Sequence, residues 1–218
     1  MPQRPHEERV CHGVRFYQSR HSRIRQLKGL HSPLDFGYRV WTSCWLLMDY
    51  LKSLGLPPGL RVMDVGCGWG LAGIFCAKNL QASVTCMDAD LEVFPFLDLH
   101  AELNQVRVST LHKRYENLTS QDLEGIDLLI GADICYWDEM PEVLIPMIEM
   151  ALASHVRLIL IADPGRSSFA RLAEHCEANY GAGTTNFFVR KPHPLSGRVM
   201  KISNGSEAHR KCPASILK

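Results

Sequence analysis

The sequence predicts an α/β domain: a seven-stranded, mostly parallel sheet with helices on both faces and a C-terminal antiparallel hairpin. Three observations carry this. Strand-like apolar runs alternate with helical patterns through most of the chain. The runs "IDLLIGAD" (126–133) and "RLILIAD" (157–163) are continuously apolar, as in strands buried on both faces. The run "RVMDV" (61–65) passes directly into a glycine-rich turn.

Taken in order, "VWTSCWLLMDYL" (40–51) reads as a helix ahead of the first strand, "RVMDV". "LAGIFCAKNL" (71–80) has helical spacing, and "SVTCMD" (83–88) is the second strand. "LEVFPFLDLHAELN" (91–104) is a helix with Pro95 in its first turns, and Asp90 is its expected N-cap. "VRVSTLH" (106–112) is the third strand and "IDLLIGAD" the fourth. "PEVLIPMIEMALA" (141–153) is a helix with Pro141 suited to its first turn, and Pro146 should kink it or mark its start. After "RLILIAD" come a helix, "SSFARLAEHCEANY" (167–180), and two strands, "TTNFFVRKP" and "GRVMKIS", joined through "HPLS" as an antiparallel pair. Residues 1–35 are expected to be a basic arm or helix: Arg4, Arg9, Arg15, Arg20, Arg23, Arg25 and Lys28 face only Glu7 and Glu8 before residue 30. Residues 36–203 form the domain, and 204–218 read as a polar tail.

Composition narrows the function. A chain of 218 residues suffices for one domain with a sizeable core, and a net charge of +1 argues against non-specific nucleic-acid binding. No apolar run reaches the roughly 18 residues of a spanning helix, and "MPQRPHEERVCHGVRF" lacks a secretory apolar stretch. The eight cysteines form no C-x-x-C pair and read as reduced thiols of a cytoplasmic compartment. The ten histidines show no ligand spacing, so no metal is expected.

In "VMDVGCGWG" (62–70), Gly66, Gly68 and Gly70 alternate, and glycines let a ligand approach the backbone. Asp64 stands two residues before the first glycine, where a carboxylate would repel a phosphate and favour a cationic amino-acid moiety. Asp88 ends the second strand, where an acid can accept from both ribose hydroxyls. That alone fits adenosylmethionine and NAD equally. The glycine spacing with Asp64 resembles motif I of class I S-adenosylmethionine-dependent methyltransferases. The resemblance implies a Rossmann-like fold and cofactor contacts from Asp64, Gly66, Cys67, Gly68, Gly70, Asp88 and Ala89. In that fold the loop after the third strand borders adenine, so Tyr115 and Glu116 are the candidates there.

The fourth strand opens into "ADICYWDE". By the rule that ligands bind beyond the carboxyl ends of parallel strands, this segment should line the cleft. A lysine nucleophile begins as an ammonium, with a pKa of about 10.4 in water, and burial or a nearby positive charge lowers it. A carboxylate can capture the cation and aromatic faces can hold it. Asp133, Tyr136 and Trp137 suit that task. Asp133 is therefore the candidate for both cofactor and catalytic contacts, Tyr136 for catalysis and substrate, and Trp137 for substrate.

Over roughly residues 38–200 the chain resembles the seven-β-strand protein lysine methyltransferases, which carry a D-x-x-Y motif after the fourth strand. The shared features are "VWTSCWLLMDYL", "VMDVGCGWG", "AELN", "GADICY" and "IADPGRSSF". The resemblance implies that Trp41 borders the cofactor. The Asp-Pro-Gly-Arg run (163–166) is similar to the branch that methylates the β subunit of electron transfer flavoprotein, which implies a trimethyllysine product and puts Asp163 and Arg166 on the substrate side. The expected cofactor is S-adenosyl-L-methionine, with S-adenosyl-L-homocysteine as product. The expected partner is a protein presenting a lysine, with the flavoprotein β subunit as candidate, and the chain is expected to act as a monomer without membrane or nucleic acid. One alternative is a small-molecule N-methyltransferase with the N-terminal segment as its roof. The other is a nucleic-acid methyltransferase, which the absence of prolines in "DICY" disfavours.

Overall fold

The apolar runs become the strands of one sheet in the computed structural model, which describes residues 8–34, 37–190 and 192–205. Strands β1 (Glu8–Cys11) and β2 (Val14–Tyr17) pair as a hairpin, followed by α1 (Ser22–Leu30) and α2 (Ser43–Leu54). Then come β3 (Arg61–Val65), α3 (Leu71–Asn79), β4 (Ser83–Asp88), α4 (Phe94–Asn104), β5 (Ser109–His112) and β6 (Leu128–Ala132). The chain continues through α5 (Met140–Ala153), β7 (Leu158–Asp163), α6 (Ser167–Tyr180), β8 (Gly183–Val189) and β9 (Leu195–Ser203).

The main sheet runs β5-β4-β3-β6-β7-β9-β8, parallel except for β9, which is antiparallel to both β7 and β8. Strand side chains alternate between two faces. Val62, Val84, Cys86, Leu128, Ile130 and Leu160 pack with α2, α3 and α4 on one. Met63, Val65, Met87, Leu129, Ile159 and Ile161 pack with α5 and α6 on the other. Strand order reverses between β3 and β6, which opens a crevice where the glycine turn and "ADICYW" emerge.

Several elements differ in extent from the sequence reading. The third strand is confined to Ser109–His112. The 91–104 helix begins as a 3-10 turn, Leu91–Val93, whose N-cap Asp90 accepts from the Glu92 amide at 2.9 Å. Pro146 lies in the middle of α5, where the helix runs on without the bond that an N–H there would make to the Glu142 carbonyl, so it does not mark the helix start.

Residues 8–30 of the expected basic arm are a hairpin and a helix laid on α4. Ile24 is fully buried, and Tyr17 packs with Trp69, Phe96 and Leu99. His100 joins the two parts: its Nε2 accepts the Tyr17 amide at 3.2 Å, and its Nδ1 lies 2.6 Å from the Phe96 carbonyl. The apolar residues Val14, Phe16 and Ile24 supply the buried side while the arginines stay outside. Residues 206–218 of the expected tail lie outside the described residues. Among those described, no helix is long and apolar enough to cross a membrane.

Candidate active site

Beyond the carboxyl ends of β3, β4 and β6 lies a cavity of about 680 Å³. Its wall includes Trp41, Gly66, Gly68, Asp88, Ala89, Tyr115, Glu116, Asp133, Tyr136, Trp137 and Arg166. These sequence candidates are thus brought together from six separate segments. Six carboxylates (Asp88, Asp90, Glu92, Glu116, Asp133, Glu139) line the cavity against two guanidiniums, Arg114 and Arg166. Such a field favours a cationic ligand.

The glycine turn is shaped for close approach. Gly66, Gly68 and Gly70 all have positive φ, at 66°, 51° and 68°. A Cβ at Gly66 would run into the Tyr115 hydroxyl and lie 2.8 Å from Ile134 Cγ2. Asp88 ties this turn to β4: its carboxylate accepts from Gly68 N at 2.9 Å and from Asp90 N at 3.1 Å. Burial pushes the Asp88 carboxyl above its ordinary value, and the two amides oppose that rise.

Four expected contacts sit behind the wall rather than on it. Asp64, expected to face a cation, turns inward at 2 % exposure and accepts from Gly73 N at 2.9 Å, in the first turn of α3. There it satisfies a helix-end amide, and burial raises its pKa to about 7. Cys67 lies beside Cys86 of β4, and burial raises its thiol pKa. Gly70 is needed for packing, because a Cβ there would overlap Leu97. Asp163 is fully buried, and its Oδ1 accepts from Gly165 N at 2.7 Å and Arg166 N at 2.8 Å. It shapes the Pro164-Gly165 turn and reaches the cavity only through Arg166.

The D-x-x-Y segment is held from three sides. Asp133 has φ of 61°, a left-handed conformation that side chains adopt at a cost, and its amide donates to the Ala162 carbonyl at 2.9 Å. Its Oδ2 accepts from Ser43 N at 2.7 Å, at the start of α2, two residues after Trp41. Its Oδ1 lies 3.0 Å from Arg166 Nη1, and the same nitrogen lies 2.7 Å from Asp163 Oδ2. The Cys135 carbonyl accepts from Ser168 Oγ at 2.6 Å. Tyr136 is half-buried with its ring edge-on to Trp137, centroids 4.7 Å apart. Two carboxylates around one guanidinium leave the cluster one formal negative charge in excess, beside two aromatic rings.

Other wall residues were missed by motif reading. Leu34 and Gly37 form part of the wall. Leu34 N donates to Asp90 Oδ2 at 2.5 Å, and the Gly37 carbonyl accepts from Trp69 Nε1 at 2.9 Å. Gly37 has no room for a side chain, since a Cβ would lie 2.6 Å from Val93. The signal available was Asp90, read correctly as a cap but bonded to two segments at once. Ser43 and Ser168 carried no signal, because each acts through a contact with a distant segment.

Comparison with known proteins gives this arrangement a family. Residues 26–171 match the family model described as lysine methyltransferase. The electron transfer flavoprotein beta subunit lysine methyltransferase of Xenopus laevis is 31 % identical over 140 residues, covering 62 % of this chain and 56 % of its own length. Protein N-lysine methyltransferase METTL21A of Danio rerio is 34 % identical over 117 residues, 50 % of this chain and 53 % of its own. The chain thus spans about half the length of these relatives. Among solved structures, human methyltransferase 10 domain containing protein superposes with a TM-score of 0.59 at 13 % identity, over 84 % of this chain and 98 % of that one. That likeness speaks for the fold alone. The chain belongs to the lysine methyltransferase family.

Proposed function

We propose that the protein transfers a methyl group from S-adenosyl-L-methionine to a lysine side chain of a protein substrate. The observation that carries the reading is the Asp133–Arg166–Asp163 cluster, with Tyr136 and Trp137 beside it, opening into the same acid-lined cavity as the glycine turn. The wall fits the cofactor: a volume of about 680 Å³ lies in the range of small-molecule sites, and its carboxylates complement a sulfonium and an ammonium. Gly66 and Gly68 would hold its methionine end, with Cys67 packed behind them. Asp88 would accept from the ribose, next to Ala89. Trp41, Tyr115 and Glu116 would border the adenosine. Asp64 and Gly70 would act by shaping the turn. When bound, the cofactor supplies an electrophilic methyl on a positively charged sulfur.

The chain's own residues then have defined tasks. Asp133, paired with Arg166, attracts the lysine ammonium to the mouth, and the buried Asp163 behind them keeps the cluster one negative charge in excess. The faces of Tyr136 and Trp137 hold the alkyl stem and the cation. Burial beside a second positive charge lowers the lysine pKa, so the proton leaves to water and a neutral amine remains. Positioning provides much of the rate. No separate base is required.

The β subunit of electron transfer flavoprotein is the acceptor to test first, because the Xenopus relative is named for it. All seven described cysteines are free thiols, which supports a reducing, cytoplasmic compartment. A second reading, a small-molecule N-methyltransferase, draws on one observation: Leu34 and Gly37, from the segment ahead of α2, line part of the cavity. The test is transfer of tritiated methyl into a proteome extract and into the purified flavoprotein, beside Asp133→Asn. A labelled protein band, mapped to lysine and lost in the variant, supports the reading. Label confined to small molecules or RNA overturns it.

A further inference from the structure

A second depression lies on the other side of the Asp-Pro-Gly-Arg turn. It measures about 380 Å³ and is bounded by Pro164, Gly165, Phe187, Phe188, Ser196 and Arg198. Two features mark it as more than a surface irregularity. Phe188 is a large apolar side chain left 54 % exposed. Arg198 is half-buried, its guanidinium 5.8 Å from the Phe169 ring centre, and among the described residues it makes no ion pair with a carboxylate.

The position is as telling as the chemistry. Arg198 is the register partner of Asp163 at the carboxyl end of β7, so the β8–β9 hairpin beyond it projects at the same end of the sheet as the active cavity. Gly165 lines the depression and Arg166, the next residue, lines the cavity. A chain running from the cavity across this turn would lay its neighbouring residues over the depression. The two sites also have opposite character. The cavity is rich in carboxylates and suits a cation, while the depression offers an arginine and an aromatic face.

We propose that this depression is an acceptor-recognition subsite that takes a carboxylate side chain, with an adjacent apolar residue, lying a few positions from the methylated lysine. The subsite rests on the protein-lysine reading for its purpose, but its ligand chemistry is separately measurable. Arg198 supplies a charge-assisted hydrogen bond to the acid, and Phe188 supplies the apolar contact. Neither residue lines the cavity, so neither is needed to bind the cofactor.

The test uses two fluorescein-labelled peptides, Gly-Lys-Gly-Glu-Leu-Gly and its charge-swapped form Gly-Lys-Gly-Lys-Leu-Gly, titrated by anisotropy with wild-type protein, Arg198→Glu and Arg198→Gln. Adenosylhomocysteine binding and the thermal midpoint serve as fold controls, and Arg198→Gln stands in if Arg198→Glu fails to fold. Wild type should prefer the acidic peptide by about three- to tenfold, as expected for a partly exposed charge pair. Arg198→Gln should abolish the preference and Arg198→Glu reverse it. Equal binding of both peptides to all three proteins, or no binding of either up to millimolar concentration, overturns the subsite. If the preference tracks residue 198 but no peptide or protein lysine accepts a methyl group, the subsite stands and the lysine reading fails.

Discussion

Arg166 and Asp133 are joined side chain to side chain, Nη1 to Oδ1 at 3.0 Å, across 33 residues of sequence. This pair links the start of α6 to the D-x-x-Y segment, and through Asp133 Oδ2 it reaches the first amide of α2. The D-x-x-Y segment and the wall that carries Trp41 therefore hang on one carboxylate.

Asp133→Asn and Asp133→Ala should part company. Asparagine tolerates the left-handed backbone and can still accept from Ser43, whereas alanine strains it by about 1–2 kcal/mol. Asparagine should therefore keep the thermal midpoint within a few degrees while turnover falls at least about 100-fold (about 2.7 kcal/mol in the barrier). Alanine should lose both. Single-turnover methyl transfer and calorimetry on the two variants check this, and near-wild-type turnover in Asp133→Asn would remove the carboxylate from the mechanism.

Arg166→Met strands two buried carboxylates whose side chains are 4 % and 0 % exposed. Breaking such a pair costs about 3–5 kcal/mol, which urea unfolding would register. Arg166→Lys restores the charge without the planar fork that spans both acids, so stability should recover in part while turnover stays reduced.

Asp88→Ala should weaken adenosylhomocysteine binding by about 100-fold, since hydrogen bonds to a charged acceptor contribute about 1.5–3 kcal/mol each. It also frees the Gly68 and Asp90 amides, so the glycine turn should loosen in hydrogen exchange. Titration calorimetry that finds unchanged affinity would move the ribose elsewhere.

Asp64 and His100 pull the pH dependence of stability in opposite directions. Burial raises Asp64 from 3.8 to about 7, so the folded state binds its proton more tightly than the unfolded chain does. That contribution is full below pH 4 and is lost as pH rises toward 7. Burial lowers His100 from 6.5 to about 4, so its contribution is present above 6.5 and is lost as pH falls toward 4. Asp64→Asn should therefore make stability rise more steeply between pH 4 and 7 than in wild type, measured by urea unfolding at several pH values. Protonation of His100 also removes the acceptor of the Tyr17 amide, so protection of that amide should fall first as pH approaches 4.

The sheet was legible because buried parallel strands must be apolar on both faces and must end where the chain can turn, and Asp64, Asp88 and Asp133 mark three of those ends in the one-dimensional string. For the same reason Gly66, Gly68, Asp88, Tyr136 and Trp137 could be named from local motifs, and they share one cavity wall. Direction was not legible. Asp64 looks into α3 and Asp163 into its own turn because an unpaired helix-end or turn amide outcompetes an open cavity for a buried carboxylate. The N-terminal segment read as a basic arm because its arginines dominate the composition, while the three buried contacts that seat it, Phe16, Tyr17 and Ile24, have partners 45–100 residues into the chain. Sequence alone determined the strands of the main sheet, though not their exact ends nor the N-terminal hairpin, together with the glycine turn and the residue types around Asp133, all of which follow from neighbours along the chain. Only the tertiary structure decided that Arg166 clamps Asp133, that Ser43 completes the clamp, and that Arg198 faces a groove of its own, because these depend on distances between segments that no local pattern encodes.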